Sequence, residues 1–221
     1  MSTIRHYRIA FLLIIALVVL QAFIYPHLPD PMPIHWDVYG NVDGYMAKPW
    51  GAWLATLIFA PVIALMTVLP ILSPAQFPME PFARVYRRFV TVMAAFALWI
   101  VLLTDAIAMG LPVSLPQQLI GAIGVLYLVL GNEMGKITRN FFFGIRTPWT
   151  LADPTVWDRT HRLAGPLVML AGLSAIGAAQ YSPIAGLIAL LAGSAVAFGG
   201  PALYSWRISS RRPAISVDND E

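Results

Sequence analysis

A chain of 221 residues that is 58% apolar and 11% charged, with a mean hydropathy of +0.71, carries far more apolar surface than one water-soluble core needs. With no cysteine, it excludes disulfide frameworks, thiolate nucleophiles and cysteine-held zinc or iron–sulfur sites. The formal charge of +3 says less than where the charges fall.

Each hydrocarbon crossing takes roughly 17 to 25 mostly apolar residues, because a helix alone satisfies every backbone donor and acceptor where water is absent. Six stretches qualify: residues 9–25, 50–72, 89–110, 115–131, 163–181 and 183–206. The expected fold is an all-α integral membrane protein with six transmembrane helices. It divides into residues 1–72, with two spans and a Pro-rich loop over 26–49; a four-span region over 73–206, with a polar loop over 132–162; and a tail over 207–221.

The first span follows a basic start and would resemble a signal peptide, but Phe23-Ile24-Tyr25 lacks a small-x-small cleavage pattern, so it reads as uncleaved. In the loop after it, four prolines before His35 favour extended backbone, while Gly40-Asn41 and Asp43-Gly44 offer positive-φ turns, which predicts a hairpin-like structure. Its candidate contact residues are His35, Trp36, Asp37, Gly40 and Tyr45. His27, Asp30, His35 and Asp37 are of the types that bind divalent metals, but no fixed-spacing signature accompanies them, and hydrogen bonding within a compact lid is the reading adopted. No metal or cofactor is expected.

Pro61 and Pro70 are expected to kink the second span. The third carries Asp105 beside Thr104 near its outer end, and the fourth ends in Glu133. An intramembrane carboxylate is a functional candidate; for Asp105 the plainer reading is a group reaching the interface or bonded to neighbouring hydroxyls. Most aromatics near span ends, Tyr7, Tyr25, Trp50, Trp53, Tyr86, Tyr181, Tyr204 and Trp206, suit the headgroup level, whereas Trp99 and Tyr127 lie deep.

The loop after the fourth span runs through Lys136 and Arg139 to Phe141-Phe142-Phe143, a triplet suited to the membrane interface. Thr147-Pro148-Trp149 then turns the chain. A helix starts beyond it, either through Thr150 paired with Asp153 or with Asp153 as N-cap and Pro154 at the first position. That helix places Trp157 and His161 four apart on one face and Asp158 and Arg162 on another, and continues into the fifth span. Gly124, Gly131 and Gly135, Gly165 and Gly172, and Gly186 and Gly193 form strips for close helix packing within the chain.

Of the 14 Lys and Arg residues, Lys48 alone falls on the side of the 26–49 loop. Arg5, Arg8, Arg84, Arg87, Arg88, Lys136, Arg139, Arg146, Arg159, Arg162, Arg207, Arg211 and Arg212 fall on the other. The positive-inside rule then sets both termini in the cytoplasm. Basic residues scattered over several juxtamembrane segments give no nucleic-acid surface.

The stretch Gly144-Ile-Arg-Thr-Pro-Trp-Thr-Leu151, followed by Trp157 and Thr160-His-Arg162, resembles the signature of the SdpI family of bacterial membrane immunity proteins. Pro33-Ile-His35-Trp36 to Gly40 and Asp43-Gly44-Tyr45 resemble the small domain of unknown function that precedes it there. The resemblance implies a multi-pass protein of the bacterial cell membrane that protects its producer against a secreted, membrane-active toxin peptide. In the best-known type it also holds a transcriptional repressor at the membrane. It implies no catalytic residues. Arg146, Thr147, Pro148, Trp149, Trp157, His161 and Arg162 are then candidate contacts for a cytoplasmic partner. The acidic tail Val217-Asp-Asn-Asp-Glu221 and the aromatic triplet depart from the pattern outside the signature.

Two other classes stay open on the residues alone. An ion-coupled transporter or channel would use Asp105 and Glu133, although no inverted repeat marks a midplane site. A membrane enzyme acting on a lipid or phosphate group would use Arg146, His161 and Arg162.

Overall fold

The computed structural model describes residues 7–210. Helix α1 (Arg8–Ile24) passes through a short 3₁₀ turn into an antiparallel hairpin of β1 (Met32–Trp36) and β2 (Val42–Met46). Helix α2 (Trp50–Val68), α3 (Ala83–Ala108) and α4 (Leu115–Met134) follow. A five-residue helix α5 (Pro148–Ala152) precedes α6 (Pro154–Tyr181), α7 (Pro183–Ser194) and α8 (Gly200–Ser210). A π-helical stretch over Ala195–Gly199 joins the last two, just before Pro201, which has no amide hydrogen and crowds the turn preceding it.

Six helical segments are long and apolar enough to cross a membrane: Arg8–His27, Trp50–Leu72, Glu80–Ala108, Leu115–Met134, Pro154–Tyr181 and Pro183–Ser210. Each corresponds to one expected stretch. The third and fifth begin earlier than hydropathy suggests, because their first turns are amphipathic. Val85 and Tyr86 are buried while Arg84 and Arg88 are exposed, and Val156 and Trp157 are buried while Thr155 and Asp158 are exposed. Arg5, Arg211, Arg212 and the 217–221 tail lie outside the described residues.

One face of α3, with Tyr86, Val90, Ala94, Ala97 and Val101, packs against α1 and α2 in the main core. Outward faces bear large apolar side chains such as Leu12, Phe23, Leu65 and Leu170, the surface a lipid-facing helix needs. The glycine strips set the spacing in the other half. A Cβ added at Gly131 would lie 2.6 Å from the Gly165 carbonyl oxygen, and one at Gly172 would lie 2.5 Å from that of Gly124. Gly186 and Gly193 approach Ala179 and Ala171 as closely, so α4, α6 and α7 pack backbone to backbone. Tyr127, one of the two deep aromatics, joins this unit by a 2.9 Å hydroxyl contact with Ser194.

Some local expectations are corrected. Pro61 lies inside a continuous α2, but Pro70 falls in a terminal 3₁₀ segment, Leu69–Leu72, so it closes the helix rather than kinking it. Tyr7 and Tyr86 are buried against neighbouring helices rather than turned outward from the bundle; the Tyr86 hydroxyl donates to the Met66 carbonyl at 2.7 Å, which ties α3 to α2. Within the phenylalanine triplet, Phe143 packs on Phe89 with ring centroids 4.5 Å apart and Phe142 joins the same core, leaving Phe141 as the exposed member.

Candidate functional site

The polar chemistry of the inner loop resolves into a buried hydrogen-bond knot. Asn140 is fully buried; its side-chain oxygen accepts from the Phe142 and Phe143 amides at 2.9 and 2.7 Å, and its nitrogen donates to the Thr138 and Phe143 carbonyls. Gly144, at φ +110°, then reverses the chain where a Cβ would overlap the His161 ring. This reversal aims the Ile145 amide at His161 Nε2, 2.9 Å away, and His161 Nδ1 lies 2.8 Å from the Trp157 carbonyl. Nε2 therefore accepts and Nδ1–H donates, which fixes a neutral imidazole.

Trp157 stacks on that imidazole at 4.1 Å between centroids and donates from its indole nitrogen to the Ile137 carbonyl at 2.6 Å. Thr147 caps α5 in a reciprocal capping box with Thr150, whose hydroxyl also donates to the Ile145 carbonyl at 2.9 Å. The Thr147 hydroxyl lies 3.1 Å from that of Ser205, which fastens the loop to α8. Asp153 is the N-cap of α6, accepting from the Thr155 and Val156 amides at 2.7 and 3.3 Å, with Pro154 at the first position. Of the two helix starts read from the sequence, the Asp153-Pro154 one is therefore formed; Thr150 belongs to the preceding cap.

The seven inner signature residues do not form one contact surface. Trp157 and His161 are 0% and 1% exposed, because both face the helix bundle from the inward side of α6. Thr147 and Trp149 are half-buried, and Arg146, Pro148 and Arg162 are exposed. Arg146 donates to the Phe141 carbonyl and lies over the Phe141 ring, so it braces the aromatic segment rather than the Thr-Pro-Trp turn. Arg139 caps the end of α5 instead, donating to the Leu151 carbonyl at 2.9 Å. Glu133 is bound by Arg88 and Lys136, each at 3.2 Å.

On the opposite end of the bundle the hairpin forms a roof. Asp37 accepts from the amides of Tyr39 and Asn41 at 2.9 and 2.8 Å and from the Asn41 side chain at 2.9 Å. These donors, the Asn41 side chain foremost, hold its carboxyl below the usual aspartate range. Gly40 takes the positive φ of +94° at the tip, directly over Ser114 at the start of α4. Gly44 does not adopt a positive φ; it lies in β2 opposite His35, where a Cβ would lie 2.9 Å from the His35 Cβ.

At the other end of the roof a Cβ on Gly51 would lie 2.6 Å from the Met46 carbonyl oxygen, so the hairpin seats closely on α2. Lys48 secures the base, donating to the Leu28 carbonyl at 2.9 Å and lying 4.6 Å over the Tyr25 ring. His35 is exposed and pairs with Asp43, a partner the sequence reading did not assign; Trp36, Asp37 and Gly40 are half-buried and Tyr45 is exposed. His27, Asp30, His35 and Asp37 do not converge: Asp30 accepts from the Lys48 amide, and among the described residues no three His, Asp or Glu side chains are grouped to hold a metal ion.

Beneath the roof lies a cavity of about 510 Å³ between the hairpin, α2, α3 and α4. Its wall is largely apolar, with Phe59, Ile100 and Leu119 among its lining, and Asp105 stands in it. Asp105 is 2% exposed, so it does not reach the interface, and the Thr104 hydroxyl turns back to its own helix at the Val101 carbonyl, 2.9 Å away. The reading of Asp105 as an interfacial or hydroxyl-bonded carboxylate is thus corrected: α3 directs it into the bundle.

Residues 136–205 match the SdpI/YfhL protein family model, and residues 12–65 match a domain of unknown function, DUF1648. The SdpI/YfhL match thus follows the DUF1648 match along the chain. The chain is 28% identical over 156 residues to Immunity protein SdpI of Bacillus subtilis (strain 168), an alignment covering 67% of this chain and 69% of that one. No solved structure matches it. The SdpI/YfhL match contains the whole Asn140 to His161 knot together with Ser205, and the DUF1648 match contains most of α1, the hairpin and most of α2. Each matched segment therefore contains one of the two structured polar elements together with the helices that carry it.

Proposed function

We propose that this chain is a membrane immunity protein that confers resistance to a secreted, membrane-active toxin peptide. The observation that carries the reading is the similarity to Immunity protein SdpI, which extends over two thirds of the chain. In this reading the protein resides in the bacterial cell membrane with both termini in the cytoplasm, as the distribution of basic residues favours. The hairpin then faces outward, and His35, Trp36, Asp37, Gly40 and Tyr45 meet the toxin. The inner loop offers Arg146, Pro148 and Arg162 to a cytoplasmic transcriptional repressor held at the membrane, while the Trp157–His161 knot keeps that surface in shape. The chain acts by binding and not by turnover: His161 is buried with both ring nitrogens engaged by backbone, a poor position for a general base.

The test is expression of the chain in Bacillus subtilis cells that lack Immunity protein SdpI and are challenged with the toxin to which they become sensitive. Restored survival is expected, reduced by His35→Ala and by Arg146→Ala at equal membrane abundance. Survival no better than that of cells carrying an empty vector, with the protein present in the membrane, overturns the reading. Wild-type survival in both variants overturns the residue assignment alone.

A further inference from the structure

We propose that the cavity beneath the hairpin is a binding site for an apolar chain bearing a primary ammonium group, with Asp105 as its counter-charge. The cavity's volume, about 510 Å³, falls within the roughly 300–1,000 Å³ that small-ligand sites occupy. Its wall excludes water from most of an aliphatic body, through residues such as Ile58, Phe59, Ile100 and Leu119.

Its carboxylates outnumber its basic groups. Asp105 and Asp37 both line the cavity, no Lys or Arg does, and His35, which also lines it, is exposed and paired with Asp43. Asp105 Oδ2 has no hydrogen-bond partner in the protein although the residue is 98% buried, a costly arrangement for an acceptor with nothing to accept from. Gln21 beside it has two amide hydrogens, one given to the Ala52 carbonyl at 2.7 Å and the other directed to the Asp105 carboxyl, yet Asp105 Oδ2 and Gln21 Oε1 both stay buried without a partner. What the site lacks is a donor for Oδ2 and a positive charge beside it. An ammonium supplies both, with three N–H groups, whereas a carboxylate or phosphate would add a second uncompensated anion.

The geometry also explains why the hairpin is held so firmly. Gly51 and Gly40 allow the roof to touch α2 at one end and α4 at the other, and its residues Ile34 and Trp36 close the cavity's outer side. The burial of Asp105, 2% exposed beneath this roof, strengthens the attraction between an ammonium and its carboxylate by keeping water away from the pair. The site does not depend on the immunity reading, since the cavity and the orphan carboxylate are present whatever the chain protects against.

The probe is a ten-carbon primary amine with a photoreactive diazirine in its chain, applied to the full-length protein in phosphatidylcholine nanodiscs, with the alcohol of equal length as the neutral control. Saturable labelling that mass spectrometry maps to the cavity segments of α3 and α4 is expected, with the amine favoured about tenfold or more. Asp105→Asn should abolish that preference while leaving labelling by the alcohol, and Leu119→Trp should block both probes by filling the cavity. Competition by phosphatidylethanolamine would assign the amine to a lipid headgroup, and competition by an apolar lysine-bearing peptide to a peptide. Equal labelling by amine and alcohol in the wild type, or an unchanged preference in Asp105→Asn, overturns the proposal. If Asp105→Asn does not assemble, Leu119→Trp decides: persistence of saturable amine labelling there overturns it.

Discussion

His161 joins three parts of the inner loop through one ring: it accepts from the Ile145 amide, donates to the Trp157 carbonyl and stacks on the Trp157 indole. His161→Ala leaves a buried amide without an acceptor and opens a void beside the indole, so a loss of about 2–4 kcal/mol in stability is expected. Thermal unfolding of the purified protein in detergent measures it, and a melting temperature equal to that of the wild type would contradict the knot. At the hairpin tip, Asp37 has a lowered folded pKa, so its contribution is fully present above the ordinary aspartate value of about 3.9 and is lost as pH falls through the lower folded value. The Tyr39 and Asn41 amide resonances should therefore shift together on acidification below the normal aspartate range, and Asp37→Asn should remove that titration. These residues were unequally legible. His161 and Asp37 stand out by type, but Asn140 resembles any loop asparagine, because its four hydrogen bonds are to backbone groups whose positions only the folded loop sets.

At the level of elements, local chemistry is written plainly in the chain. Asp153-Pro154 starts α6, Ser114 and Leu115-Pro116 start α4, and Gly40 takes the turn of the hairpin, each by a preference that needs no distant partner. Helix spacing is written there too, as glycines seven apart, but which helix each strip meets is not. Gly124→Val should force α4 and α6 apart, because its side chain would meet Ile176 and the Gly172 carbonyl. A cost of roughly 2 kcal/mol or more is expected, whereas Gly121→Val, where a Cβ meets nothing within 4 Å, should change little. Protease resistance of the two variants in the same nanodiscs discriminates them, and equal resistance would sink the packing argument. Expectations failed at this scale where an amphipathic turn extended a helix past its apolar run, as at the start of α3, since a hydropathy window averages over the very alternation that buries Val85 and Tyr86.

For the whole molecule, the proposed orientation places the hairpin and the inner loop on opposite sides of the membrane. The absence of native cysteine makes this directly testable. Ala47→Cys, at an exposed position after β2, should react with a membrane-impermeant maleimide in intact spheroplasts, and Thr155→Cys, exposed at the start of α6, only after permeabilisation. The reverse pattern would invert the topology. The sequence by itself determined the six apolar segments, the caps, the hairpin turn and the one-sided distribution of basic residues, because these depend on composition and on neighbours a few positions away. The tertiary structure alone decided that Asp105 faces an apolar cavity, that His35 meets Asp43 and that Glu133 meets Arg88, 45 positions earlier in the chain. The partner of a polar group depends on how helices rotate and close upon one another, a property of packing that no periodicity along the chain records.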